Sequence, residues 1–456
     1  MLASERIGKL LFKLSLPAGI GMLVMGLYNV VDTIFIGQVV GPLGIAGLTI
    51  VFPFQMVVMG LGMIVGIGGA SIISRALGAD DTDKAERTLG NCVFLVILLG
   101  VLIPIIGLVN IDFWLRLFGA SETILPYSTD YMEIILLSTI FQIFAMGISQ
   151  LVRAEGNARV PMLSMMIGAG LNIVLDAVFI LVLDMGIRGA AMATMLSQVT
   201  TSAYIIHYYF FQNSSLKIYL KNFTPDGSVV REIIAVGFGA FVRTTGTSLV
   251  TIIINRTLIS YGGDLAVASF GMVMRIMMFI FMPIVSISHG LQPIIGFAYG
   301  AGRFDRVLRA IKLATVVATI LSIISFLIIY SLPAPIFYIF TNDESLVTLG
   351  SHTAKIIFLV AYLIGFQMVG SVVFQALGKA VPTFLTAISR QVLFLLPLIF
   401  ILPKFWQTEG IWLSFPIADG LSFILTLALL VPLLRALKKA ELTTRSEPLQ
   451  AGSENN

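Results

Sequence analysis

The stretch GAGLNIVLDAVFILVLDMGIRGAAMAT, Gly168–Thr194, reads as the end of one membrane helix, a tight turn over 184–189, and the start of the next. Asp176 lies well inside the apolar run, with Asn172 one helical turn before it. An i,i+4 pair shares one helix face, so the amide and the carboxylate point the same way. A carboxylate near the bilayer centre costs roughly 2.5–3.5 kcal/mol on insertion scales, and such residues usually line a cavity or an ion path. The chain tolerates that cost a second time at Asp32, within YNVVDTIFIG.

The composition agrees with a membrane reading. Of 456 residues 57% are hydrophobic and 11% charged, and the mean hydropathy is +0.99. Soluble domains carry about 25% charged residues. The formal net charge of +4 gives no reason to expect a nucleic-acid partner. One cysteine, Cys92, excludes an internal disulfide and any multi-cysteine metal site. No Walker A pattern occurs, so any uphill transport would not draw on ATP bound to this chain. No cleavable leader is evident in the opening MLASERIGKLLFKLS. HExxH and GxSxG constellations are missing as well, and the chain reads as a non-enzyme without a cofactor.

A spanning helix needs about 20 mainly apolar residues. Twelve such stretches are expected, at 10–36, 43–74, 88–110, 125–152, 160–183, 186–211, 230–260, 264–299, 308–331, 346–376, 381–402 and 409–434. The polar break QNSSLKIYLKNFTPDGSV divides them six and six. The expected organisation is a six-helix bundle over 1–211, a cytoplasmic linker over 212–229, a second bundle over 230–434, and a cytoplasmic tail over 435–456, disordered at its end. Basic residues gather on the side shared by both termini: Arg6, Lys9 and Lys13; Arg75, Lys84 and Arg87; Arg153 and Arg159; Lys217 and Lys221; Arg303 to Lys312; Lys379 and Arg390; and Arg435 onward. The other side has Arg116, Arg188, Lys404 and, at the end of its span, Arg256. By the positive-inside rule both termini are cytoplasmic.

The halves look like copies. Pro161 in EGNARVPM answers Pro382 in LGKAVPTF, 221 residues on, and GPLGIAG at Gly41 answers GGDLAVA at Gly262. Copies separated by six spans run in the same direction, a parallel repeat about an axis along the membrane normal, as in transporters that rock two halves about a central site. The chemistry is not duplicated. At this offset Asp32, Asn172, Asp176 and Thr194 face Ile253, Leu393, Pro397 and Phe415. The polar cluster is expected only in the first half.

These residues resemble the multidrug and toxic compound extrusion (MATE) family, over nearly the whole chain up to about residue 435. The carriers are LSLPAG around Pro17, YNVVDTIFIG, LVRAEGNARVPM, LNIVLDAVF with GIRGAAMAT, and the second-half echo FQALGKAVP. The resemblance implies a V-shaped, all-α polytopic membrane protein: twelve transmembrane helices in two six-helix bundles related by pseudo-two-fold symmetry. It also implies a secondary antiporter that exchanges drugs and other organic cations for Na⁺ or H⁺. In the DinF-like branch, which looks closest, the cation or proton site lies in the N-terminal bundle, and its motif positions fall on Asp32, Asn172, Asp176 and Thr194. The same branch bends helix 1 at the Pro17 position. Another branch keeps its carboxylates in helices 7 and 10; here the stretches FVRTTGTSLVTIIIN and IIFLVAYLIGFQMVG carry none.

Two further sets complete the expected site. Tyr28, Asn29 and Tyr131 are candidates for the hydrogen-bond network around the acids, with interfacial packing as the plainer role. Arg243, Arg275, Met274 and Met278 are candidates for a substrate cavity, since flexible thioethers suit varied apolar ligands; snorkelling to an interface is the plainer role for the two arginines. Na⁺ would draw on Asp32, Asn172, Asp176 and Thr194 together, whereas a proton needs one carboxylate; the residues leave the coupling ion open between Na⁺ and H⁺. The expected partners are small organic molecules and the lipid bilayer, the expected state a monomer, and the expected location the cell membrane. The alternative is a flippase for lipids or lipid-linked oligosaccharides on the same scaffold.

Overall fold

The computed structural model describes residues 2–212 and 214–451, with side chains for all of these except residues 29, 33, 42, 220 and 444–451. The described residues form helices and connecting turns, without a strand. In lipid every backbone donor and acceptor must be satisfied within its own segment, which helices achieve. In chain order the long helices are α1 (Ile7–Val39), α2 (Pro42–Gly78), α3 (Thr82–Val109), α4 (Leu125–Ala154), α5 (Arg159–Asp176, continuing through a π-helical turn, Ala177–Val182) and α6 (Gly186–Phe211). The continuous run Gly227–Gly300 is two helices, because Gly263 adopts φ +65° and ψ −167°. These are α7 (227–262) and α8 (264–300). Only glycine reaches that conformation without strain, which is how a one-residue turn is possible here.

The second set continues with α9 (Phe304–Ser331) and α10, made of Glu344–Ile357 and Ala361–Ala376 with a bend of 46° between them. Then come α11, which runs from Ala380–Ile388 through a π-helical turn, Ser389–Leu395, to Leu396–Ile401, and α12 (Pro403–Ala451), broken at Gln407. The fold therefore has twelve spanning helices, six in each repeat. The helix of α12 continues to Ala451, so the expected cytoplasmic tail begins as an extension of the last span, and its end, expected to be disordered, lies outside the described residues. Its basic and polar residues are compatible with a helix that has left the hydrocarbon.

The backbone itself records the duplication. Residues with positive φ occur in matched pairs: Gly41 with Gly263, Asp80 with Gly302, and Gly156 with Gly378, each 222 residues apart, and Asp184 with Gln407, 223 apart. Short helices, Ile111–Leu117 and Pro333–Tyr338, occupy equivalent places after α3 and α9. The repeat register is thus one or two residues longer than the sequence offset, and no acid moves opposite Asp32 or Asp176 as a result.

By spatial clustering the chain forms two compact units, one of residues 16–77 and 81–245 and the other of residues 1–15, 78–80 and 246–456. In the first, Val65, Ile72, Leu89, Leu151 and Ile205 build one core and Ile36, Tyr131, Ile180 and Ile187 another. In the second, Phe270 stacks on Trp412, and Phe281 on Phe358. Polar side chains are buried inside while Val109, Val182, Ile339 and Phe405 stand exposed, the inverse of a soluble protein and the pattern lipid demands. The interior hydroxyls bond their own helices, as Thr139 Oγ1 does to the Ile135 carbonyl at 3.1 Å. The linker is held to the first unit: Asn91 Oδ1 accepts from the Asp226 amide at 2.8 Å, and Glu155 Oε2 accepts from Ser214 Oγ at 2.7 Å and the Ser215 amide at 3.0 Å.

Candidate functional site

The acids, the amide and the threonine come from three helices of the first unit. α1 carries Asp32, α5 carries Asn172 and Asp176, and α6 carries Thr194. Asn172 and Asp176 face inward together, as their spacing requires, and both are buried. Asn172 Nδ2 donates to Asp176 Oδ2 at 2.5 Å. Asp176 is also the last residue of regular α-helix before the π-helical turn. Such turns insert an extra residue into a helix and often mark functional positions.

Each carboxylate keeps one oxygen without a donor. Asp176 Oδ1 and Asp32 Oδ1 are both buried and lack a hydrogen-bond partner. The two acids act on each other electrostatically. Nearby, Tyr131 is buried on α4; its hydroxyl accepts from Gln55 Nε2 at 3.4 Å and also pairs with Thr194, and it feels the charge of Asp32. Tyr28 lies near enough to interact with Tyr131. The side chain of Asn29 lies outside those described. α1 runs with helical geometry through Pro17, and the chain changes unit just before it, between Ser15 and Leu16. Gln55, on α2, is a member that sequence reasoning missed; an amide in the apolar run VFPFQMVVMG was the available signal.

Among the described residues no three of His, Cys, Asp and Glu come together. A cation held here would therefore meet two carboxylates and neutral oxygens, a donor set for a hard ion rather than a transition metal. Two donor-free carboxylate oxygens in an apolar bundle suit a monovalent cation or a proton.

The four residues expected to line a substrate cavity are divided between the units. Arg243 belongs to the first unit and Arg275, Met274 and Met278 to the second. Arg243, Arg275 and Met278 are exposed and Met274 is half-buried.

One expectation is overturned. The second unit has its own buried polar cluster, on α11 and α12. Arg390 donates from Nε to Asp419 Oδ1 at 2.5 Å and from Nη2 to Oδ2 at 3.3 Å. Gln367 Nε2 reaches the Asp419 carbonyl at 2.6 Å, and Ser389 and Ser422 share a hydroxyl contact of 2.5 Å. Arg390 is therefore a membrane-embedded ion-pair partner rather than a loop charge. Unlike the N-terminal acids, Asp419 is already neutralised, and its pairing with a bidentate guanidinium leaves no comparable vacancy for a cation.

A duplicated set of six membrane helices with an acid pair inside one copy defines a secondary-transporter architecture. Comparison with known proteins makes this specific. The MatE family profile matches residues 17–178 and again 240–401, once per repeat. Multidrug export protein MepA of Staphylococcus haemolyticus (strain JCSC1435) is 28% identical over 411 residues, 90% of each chain. MepA of Staphylococcus aureus (strain MRSA252) is 27% identical over 429 residues, 94% of each. Among solved structures, the MATE multidrug transporter DinF-BH in complex with R6G is 42% identical, with a TM-score of 0.87 over 93% of this chain and 95% of that one. A MATE in the bent conformation is 28% identical, with a TM-score of 0.90 over 96% of this chain and 98% of that one. The chain belongs to the MATE family, whose members are transporters rather than enzymes, and its similarity to DinF-BH puts it with the DinF-like branch.

Proposed function

We propose that this protein is a cation-coupled multidrug efflux antiporter of the cell membrane, exporting organic, cationic amphiphilic compounds by alternating access. Asp32 and Asp176 hold the coupling ion, Na⁺ or H⁺, with Asn172 and Thr194 as neutral ligands and Tyr131 with Tyr28 around them. The observation that carries this reading is the pair of buried, donor-free oxygens, Asp32 Oδ1 and Asp176 Oδ1. An acceptor left unsatisfied in a dry interior is costly, and a bound cation or proton removes that cost. The names of the MepA relatives and the R6G complex of DinF-BH support drugs and dyes as the cargo.

Antiport requires the ion and the drug to favour different states of the carrier. That preference is a coupling free energy and is reciprocal between the two ligands. An ion entering from outside neutralises the acid pair and shifts the carrier toward drug release. Its discharge to the cytoplasm resets the carrier. Both termini and the linker are cytoplasmic in this scheme, with bundles over 1–211 and 230–434.

The test is R6G efflux from vesicles under an imposed Na⁺ or H⁺ gradient, with wild type beside Asp176→Asn. One gradient should drive efflux by wild type, and the variant should lose it while still folding and binding R6G. Normal pumping by Asp176→Asn would make the pair structural. Lipid flipping without ion-driven R6G efflux would favour the flippase.

A further inference from the structure

The unit that holds the two acids also holds a buried cation without an ion-pair partner among the described residues. Arg153, in the last turn of α4, is 6% exposed. Its Nη1 donates to Gln150 Oε1 at 3.0 Å, and its Nη2 lies 3.8 Å from Met165 Sδ. Its Nε is buried with no partner at all. No ion pair among the described residues includes it, whereas Arg75 pairs with Glu232 and Arg390 with Asp419.

An arginine this close to a helix end ordinarily snorkels to the interface. Arg153 does the reverse, and the helix direction explains it. Side chains tilt toward a helix's N-terminus, which for α4 is the membrane interior. The guanidinium follows that tilt, with Gln150 one turn deeper as its carbonyl partner.

Four helices converge at this level. A Cβ at Gly21 of α1 would lie 2.9 Å from Met165 Sδ on α5, and one at Gly66 of α2 would lie 2.9 Å from Gln150 Cγ on α4. The glycines bring α1 and α2 against the Arg153 layer without intervening side chains. Two rulers then place the layer relative to the acids. Eleven residues separate Gly21 from Asp32 along α1, and eleven separate Met165 from Asp176 along α5. At 1.5 Å per residue both give about 16 Å, toward the end of the bundle where α4 stops and α5 starts.

We infer that Arg153 is an electrostatic barrier across that end of the bundle, closing the Asp32–Asp176 site to cations arriving through it. The inference rests on the coupling-site reading above. A fixed charge in a low-dielectric layer repels any cation that approaches within a few ångströms, and arginines exclude cations from pores in the same way. Without the barrier, an ion on the acid pair has a path through the bundle itself, and the gradient runs down without moving cargo. With it, the ion leaves only when the carrier changes state. The repeat supplies a control. Gly156 and Gly378 fix the register at 222 residues here, and the residue opposite Arg153 is the neutral Gln375. The bundle without the acid pair has no such charge at this position.

The experiment measures Na⁺ and H⁺ flux into proteoliposomes containing the full chain, with no drug present. Wild type is tight. Arg153→Met and Arg153→Gln raise the leak of the coupling ion at least tenfold, and Arg153→Lys, which keeps the charge, stays tight. Adding Asp176→Asn to Arg153→Gln removes the leak, because the path runs through the acids. Arg153→Gln is the safeguard for folding, since the second bundle accommodates glutamine at the same place. A folded Arg153→Gln that pumps R6G and leaks no more than wild type overturns the barrier. So does an Arg153→Lys that leaks as much as Arg153→Met, which would make the residue a packing element. If wild type shows no ion-driven R6G transport, it is the coupling reading that fails.

Discussion

The Arg390–Asp419 pair offers the sharpest test of the second unit. Asp419→Asn keeps the shape of the side chain and removes its charge. The Asp419 side chain is 1% exposed and that of Arg390 28%, so the substitution strands a guanidinium that water reaches only in part. Breaking one side of a buried ion pair costs about 3–5 kcal/mol. The residual exposure of Arg390 puts this case at the lower end, about 3 kcal/mol, or more than a hundredfold in the unfolding equilibrium. The Gln367 bond goes to the Asp419 backbone carbonyl and survives the change.

The second arm replaces both partners. Arg390→Met with Asp419→Leu removes the Coulombic gain and the desolvation cost together. Such replacements are often neutral or stabilising, so the double variant should lie within about 1 kcal/mol of wild type. Denaturant unfolding of detergent-purified protein reads both. Trp412, buried two turns earlier on α12, reports on the local transition by its fluorescence. A loss below about 1 kcal/mol for Asp419→Asn would mean that water or another group already solvates Arg390. A double variant as unstable as the single one would show that the pair is needed for the packing of α11 on α12, and either result refutes the reasoning.

Three other outcomes are expected. Asn172→Leu removes the donor to Asp176 Oδ2; with one hydrogen bond to a charged group worth about 1.5–3 kcal/mol, the ion concentration for half-maximal R6G efflux should shift by about ten- to a hundredfold. Gly237→Ala should fail to give monodisperse protein or lower its unfolding temperature sharply. A Cβ there would lie 2.1 Å from the Ile64 carbonyl oxygen, and overpacking of this kind costs about 1–3 kcal/mol or more. Burial pushes the Glu155 carboxyl up from its ordinary 4.5, against the pull of hydrogen bonds from Ser214, the Ser215 amide and Tyr208. Its folded pKa is the higher one, so its stabilising contribution is full below 4.5 and is lost as pH rises through the folded value. Protection of the Ser214–Ser215 amides against hydrogen exchange, corrected for the intrinsic rate, should therefore weaken as pH rises through that range, and Glu155→Gln should flatten the dependence.

The twelve spans were legible because the bilayer imposes a length on each apolar run, and the Asn172–Asp176 pair because i,i+4 spacing fixes a shared face. The turns were legible only in part. Gly41 and Gly263 sit in recognisable glycine contexts, while Asp184 and Gln407, with φ of +50° and +48°, carry no glycine to mark them. The π-helical turns at Ala177–Val182 and Ser389–Leu395 leave no trace in apolar periodicity. Asp419 was overlooked because its partner lies 29 residues away on another helix, and only packing brings them together.

The arginines expose a more general gap. Counting basic residues as loop charges assumes that a cation near a helix end turns to water, yet the direction of the helix decides this. Helices that end on the basic side tilt their last side chains inward. Arg75 near the end of α2 bonds back to the Ser71 carbonyl at 3.0 Å and pairs with the half-buried Glu232, and Arg153 near the end of α4 is buried. Helices that begin on that side tilt their first side chains outward. Arg87 on α3 and Arg309 on α9 are exposed, each paired i,i+4 with an aspartate in the first turn. On these four helices the same residue type is exposed near a starting end and turned inward near a finishing one. That distinction separates Arg153 from the loop charges around it. It also gives a physical reason for the burial of Arg153 in the bundle that carries the two acids.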